Sequence, residues 1–143
     1  MPSQGPMASQ ATRSERFPIR NAEDVVVVRQ FVRKAAVDLG FSLVDQTKMV
    51  TAASEIARNT LIHGKGGFAS IQIVERLGRR GIRAIFEDHG PGIPDIERAL
   101  QDGYTTANGL GLGLGGARRL TNEFEIQSAP GEGTRITLTR WKA

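Results

Sequence analysis

Apolar side chains recur at Val25, Val28, Phe31, Val32, Ala35 and Leu39, a three-and-four spacing that predicts a helix over residues 24–39, closed by Gly40. The four consecutive valines from Val25 would also suit a strand, but the length of the pattern and its glycine stop favour helix. A longer stripe of Met49, Val50, Ala53, Ile56, Ala57 and Leu61 predicts a second helix from about Leu43 to His63, ending at Gly64-Lys-Gly-Gly. The period then changes to two. Ala69–Glu75 alternates Ile71 and Ile73 with polar neighbours, Ile82–Asp88 follows, and the link Leu77-Gly-Arg-Arg-Gly81 suits a hairpin. Residues 112–120 read as a short helix, and Phe124–Ser128 and Thr134–Trp141 as a second hairpin around Ala-Pro-Gly-Glu-Gly. A further strand is expected near Phe17–Ile19.

Strands and helices do not alternate strictly in this order, which argues against a doubly wound sheet. The expected fold is a two-layer α/β sandwich of the α+β kind: a mixed, mainly antiparallel sheet covered on one face by helices. With 143 residues the chain suits one domain, assigned to residues 16–143. Residues 1–15, MPSQGPMASQATRSE, lack a signal peptide's apolar stretch and are expected to form a flexible tail. No apolar run approaches the roughly 20 residues of a membrane span. With no cysteines, disulfides and thiolate metal sites are excluded. A cytoplasmic location is expected, with no membrane partner.

The net charge of +4 changes little. Basic residues such as Arg29, Arg33, Arg58, Arg79 and Arg118 are scattered, and aromatic residues for stacking bases are few, so no nucleic-acid partner is expected. A modest positive field also suits a polyphosphate ligand or an acidic protein.

The densest chemistry lies between Glu87 and Leu120, EDHGPGIPDIERALQDGYTTANGLGLGLGGARRL. Gly111-Leu-Gly113-Leu-Gly115-Gly116 satisfies G-x-G-x-x-G, but it follows the polar Tyr104-Thr-Thr-Ala-Asn108 rather than a buried strand, so the dinucleotide fingerprint fails. No H-R-D or D-F-G set accompanies it, and no G-x-x-x-x-G-K-[ST] occurs. What remains is a glycine string opening a helix, whose bare N–H groups can hold an anion; a flexible connection is the alternative. Glu55 and Asn59 lie at i and i+4 on one helix face. They could form a surface or interhelical pair, or an oxygen environment for Mg²⁺ beside substrate phosphates. Asp88 ends an apolar strand, where it can accept from an exocyclic amine or simply cap the turn before Gly90.

In their order and spacing these segments resemble the Bergerat-fold (GHKL) ATP-binding family, which includes gyrase, heat-shock chaperones, histidine kinases and MutL. The N-box is Glu55-Ile-Ala-Arg-Asn59; the glycine boxes are Asp88-His-Gly90-Pro-Gly92 and Gly109-Leu-Gly111-Leu-Gly113; Gly131-Glu-Gly133-Thr134 closes the set. The match covers nearly everything from residue 20 onward. Within the family, the small size, the ExxxNxxxHG form from Glu55 to Gly64 and the segment after Gln101 are most similar to RsbT-like switch serine/threonine kinases and anti-sigma regulatory factors.

The resemblance implies ATP and Mg²⁺ as cofactors and gives each position a role. Glu55 would be the general base for a protein hydroxyl, and Asn59 the Mg²⁺ ligand. Asp88 would accept from the adenine amine, Gly90 and Gly92 would form the turn that admits the base, and Thr134 would assist through a water. Gly109, Gly111 and Gly113 would hold the phosphates, and Ile96–Gly109 would form a mobile lid. The implied activity is phosphorylation of a STAS-domain antagonist within a partner-switching stress response. The second partner would be a metal-dependent phosphatase or a sigma factor. The rival reading is an anti-sigma factor that grips a sigma factor directly, with ATP as a structural cofactor. Ile62 stands where larger histidine kinases carry a basic residue, and the sequence contains no helical hairpin with a phospho-acceptor histidine. Self-phosphorylation on His63 or His89 is therefore not expected.

Overall fold

A computed structural model describes residues 10–101 and 113–143. Its elements run β1 (Gln10–Ile19), α1 (Ala22–Leu39), α2 (Leu43–Ile62), β2 (Gly67–Arg76), β3 (Arg79–Asp88), α3 (Ile96–Ala99), α4 (Gly113–Arg119), β4 (Glu123–Ser128) and β5 (Thr134–Trp141). The strands form one sheet in the order β1-β2-β3-β5-β4, and all four pairings are antiparallel. The expected two-layer fold is present, and the sheet described as mixed is wholly antiparallel among these strands.

Both long helices start on side-chain caps. Asn21 Oδ1 accepts from the Asp24 amide at 2.9 Å, and Ser42 Oγ accepts from the Asp45 amide at 3.1 Å, each satisfying an orphan N–H of the first turn. Gly40 closes α1 in the left-handed region at φ 85°. The core lies between these helices and one sheet face: Val28, Val32, Met49, Ala53 and Ile56 meet Ile71, Ile82, Phe86, Ile136 and Leu138. Burial on α2 is wider than one stripe and takes in Ala52, Ser54, Glu55 and Thr60, because α4 packs against this helix as well.

Three boundaries differ from the sequence reading. Residues 10–15, expected in the tail, belong to β1, which pairs with β2 from Gly67 to Glu75 with a register irregularity between Ala11 and Arg13. This segment is exposed nearly throughout, so backbone pairing rather than apolar burial makes it a strand. The β2–β3 link shortens to Leu77-Gly78, both at positive φ (53° and 80°), as a primed hairpin turn requires. At Ile96, where a lid was expected to begin, a single helical turn forms on an N-cap from Asp95, whose Oδ1 accepts from the Arg98 amide. Residues 102–109 of that expected lid lie outside the described residues.

An ion pair ties the layers together at one end. Arg140 on β5 donates to Asp45 Oδ1 at 2.5 Å and to the Leu120 carbonyl at 2.9 Å, joining the start of α2 to the end of α4. The hydrogen bond from Arg140 holds the Asp45 carboxyl below its usual range, against the opposing effect of burial. A depressed folded-state pKa stabilises the protein above the unfolded value of about 3.9 and loses that contribution as pH falls through the folded value. Urea midpoints should therefore decline below about pH 4. Asp45→Asn should flatten this part of the decline; an unchanged acid limb in that variant refutes the assignment.

Candidate functional site

The long axis of α2 ends beside the C-terminal end of β3, and a cavity of about 340 Å³ opens there. That volume lies within the range of small-molecule sites. Its walls include Phe86, Ile93, Leu114 and Ile136, with Asn59, His63, Asp88 and Thr134 as polar members. Apolar walls with a few polar groups suit a heteroaromatic base.

The glycines shape this cavity through close backbone approaches. A Cβ on Gly64 would lie 2.3 Å from Asp88 Cγ, and one on Gly90 would lie 2.8 Å from Gly64 Cα. The end of α2 and the Asp88 turn thus meet backbone against backbone. Gly92 has φ 79°, and a Cβ there would sit 2.0 Å from the Ala129 carbonyl oxygen. Gly92→Ala combines a strained φ with that overlap, so it should destabilise by roughly 1–3 kcal/mol or more. Urea unfolding with an unchanged m-value is the measurement, and a loss below about 0.5 kcal/mol contradicts the packing described.

Asp88 Oδ1 accepts from the Gly90 amide at 2.9 Å, the Asx-type turn expected from its position. Oδ2 remains as an acceptor for a ligand. The turn-capping and ligand-binding readings are therefore compatible.

Glu55 is only 4% exposed, which excludes the surface-pair reading. Its Oε1 pairs with Arg58 at 3.1 Å, and its Oε2 accepts from the Gly113 amide at 3.2 Å. Asn59, one helical turn on, lines the cavity. No bond between Glu55 and Asn59 is formed, and the partners of Glu55 are instead Arg58 and the first residue of α4. Among the described residues no three acidic or imidazole groups gather into a ready-made metal centre. An amide oxygen such as that of Asn59 fits Mg²⁺, which is commonly held by one or two protein groups plus substrate phosphates.

Of the residues expected at the site, the cavity brings together Asn59, Asp88, Gly92, Gly113 and Thr134. Gly90 stands beside it in the Asp88 turn, and Glu55 is bonded to Gly113 behind it. Gly109 and Gly111 lie outside the described residues. Sequence reasoning missed Arg58, which it counted among scattered surface charges; its i, i+3 spacing from Glu55 was the available signal. It also missed Ser128, whose Oγ accepts from the Ile93 amide at 2.8 Å and lies 2.8 Å from Thr134 Oγ1.

A family model described as histidine kinase-, DNA gyrase B-, and HSP90-like ATPase matches residues 44–143. The serine/threonine-protein kinase RsbT of Bacillus subtilis (strain 168) is 47% identical over 119 residues, covering 82% of this chain and 89% of the relative. The anti-sigma F factor of Thermoanaerobacter sp. (strain X514) is 32% identical over 119 residues, covering 79% and 82%. Among solved structures, the RsbU and RsbW domains of a Mycobacterium tuberculosis protein align with TM-score 0.62 at 24% identity, over 90% of this chain and about a third (32%) of that longer one. The SiaB–SiaC complex from Pseudomonas aeruginosa aligns with TM-score 0.54 at 13% identity, over 92% and 90%. At these identities the structural likeness is one of fold alone.

Proposed function

The chain belongs to the histidine kinase-, DNA gyrase B- and HSP90-like ATPase family, and from that premise we propose how its site works. It is an ATP-dependent protein serine/threonine kinase of a partner-switching system. The observation that carries the reading is the single cavity on which Asn59, Asp88, Gly92, Gly113 and Thr134 converge, with Glu55 one helical turn from Asn59.

Asp88 and Thr134 address the base, Phe86 and Ile136 flank it, and the second glycine box beginning at Gly109 holds the phosphates. Asn59 is the protein ligand to Mg²⁺, which supplies charge neutralisation on the phosphates when bound. Glu55 takes the proton from the substrate hydroxyl. Phosphoryl transfer asks the protein mainly for placement and charge stabilisation, so one correctly held carboxylate suffices as base. Glu55 Oε2 already accepts from the Gly113 amide, so a substrate hydroxyl would meet its second lone pair or displace that amide.

The substrate is a STAS-domain antagonist, and the second partner a metal-dependent phosphatase. The direct sigma-factor reading is favoured by the anti-sigma relative at 32% identity, below the kinase at 47%. Radiolabel transfer from Mg-ATP to a STAS-domain protein of the same host, with recovery of co-purifying proteins, tests both. Label on a STAS serine or threonine supports the kinase. Recovery of a sigma factor with no transfer supports the rival.

A further inference from the structure

Ser128, at the end of β4, stands behind Thr134 rather than in the cavity. Its hydroxyl owns one proton and two lone pairs. Three groups lie within hydrogen-bond reach of its Oγ: the Gly133 carbonyl oxygen at 3.0 Å, the Ile93 amide at 2.8 Å and Thr134 Oγ1 at 2.8 Å. The carbonyl can only accept and the amide can only donate. The Ser128 proton therefore goes to Gly133, and one lone pair takes the Ile93 N–H. The remaining lone pair is left for Thr134, whose hydroxyl must be the donor in that contact. The opposite assignment leaves the Ser128 and Gly133 oxygens facing each other at 3.0 Å with no proton between them, an arrangement a half-buried network disfavours.

We infer that Ser128 fixes the Thr134 hydroxyl as an acceptor toward the cavity and thereby sets its preference for a 6-amino over a 6-keto purine. The inference rests on the nucleotide-site reading above and deepens it. Thr134 is the register partner of Asp88 across β5 and β3. Asp88 contributes a carboxylate oxygen, and Thr134, its proton spent on Ser128, contributes lone pairs. A ligand edge meeting these two groups must bring hydrogens, directly or through a water oriented by them. An exocyclic amine brings two at the 6-position; a carbonyl there brings a third acceptor, and the keto ring's one hydrogen on this edge sits instead on N1. Without Ser128 the Thr134 hydroxyl is free to rotate and donate, and a keto group then finds a partner. Ser128 is thus a positioning residue, acting through Thr134.

The test compares the dissociation constants of ATP and ITP, which differ in the purine's 6-substituent and with it in N1, an acceptor in adenine and an N–H in the keto ring, by calorimetry with Mg²⁺ present. Wild type should favour ATP. In Ser128→Ala the ITP-to-ATP ratio should fall roughly threefold to tenfold, the scale of one neutral hydrogen bond, and Ser128→Thr should restore it. If the alanine variant fails to fold, Ser128→Cys keeps the volume with a weak donor and should show the same fall. A Thr134→Val background distinguishes proton direction from loop displacement: there, removing the Ser128 hydroxyl should leave the ratio unmoved. An unchanged ratio in a folded Ser128→Ala or Ser128→Cys protein overturns the inference while leaving the nucleotide site standing. A folded wild type that binds neither nucleotide overturns both.

Discussion

Glu55→Gln is expected to lower phosphoryl transfer by roughly 10²–10⁴, the range for a lost general base, while leaving ATP bound. Glutamine keeps the volume of the buried side chain and an oxygen that can accept from the Gly113 amide, where Glu55 now accepts at 3.2 Å. It cannot accept a proton at neutral pH, and it gives up the charge that faces Arg58 at 3.1 Å. The cavity members Asp88, Gly92 and Thr134 are untouched, so nucleotide affinity should change little. Melting temperature, calorimetric Mg-ATP titration and radiolabel transfer separate the outcomes. A purely structural Glu55 would show all three declining together. A stable glutamine variant that transfers at the wild-type rate ends the base assignment and shifts weight to the sigma-factor-binding reading.

Asp88→Asn should instead weaken ATP binding by about tenfold or more, since a hydrogen bond to a charged group is worth about 1.5–3 kcal/mol. The geometry sharpens this expectation. The Gly90 amide donates to Asp88 Oδ1 at 2.9 Å, so an asparagine keeps that turn by placing its carbonyl oxygen there. Its amide nitrogen then occupies the Oδ2 position and offers hydrogens to a purine amine that also offers hydrogens. The turn survives and the polarity reverses, so the variant should fold with near-normal stability. Unchanged ATP affinity in a folded Asp88→Asn protein refutes the adenine role.

The two long helices were legible because an apolar stripe facing a sheet must recur every three or four residues, and α1 and α2 bury such stripes. The strands β2, β3 and β5 were legible by alternation against the same core. The first half of β1 was not: its side chains are exposed on both faces, and a strand held by backbone bonds leaves no apolar signature. The short helix α3 buries no residue at all, which leaves only its Asp95 cap as a signal. At the site, the placement of residues that depends on spacing along one helix or one turn, such as Glu55, Asn59 and Asp88, could be read from the chain. Ser128 could not, because its significance lies in contacts with Ile93, Gly133 and Thr134 that exist only once β4 and β5 pair. The burial of Glu55 was equally invisible, since it depends on α4 packing over α2.

The contact of Gly64 with Gly90 has a consequence for how this protein can evolve. Where two large residues touch, an enlargement on one side can be relieved by a reduction on the other, and such pairs drift together. Here neither position has a side chain to give up, and a Cβ on Gly90 would already lie 2.8 Å from Gly64 Cα. In a pairwise saturation screen these two positions should yield no mutual suppressors, and any rescue should come from changes that move whole segments. The helix bearing Glu55 and Asn59 and the turn bearing Asp88 are therefore inherited as one block, so under the proposed roles base recognition could not be retuned by shifting that turn without also disturbing the helix of the proposed base.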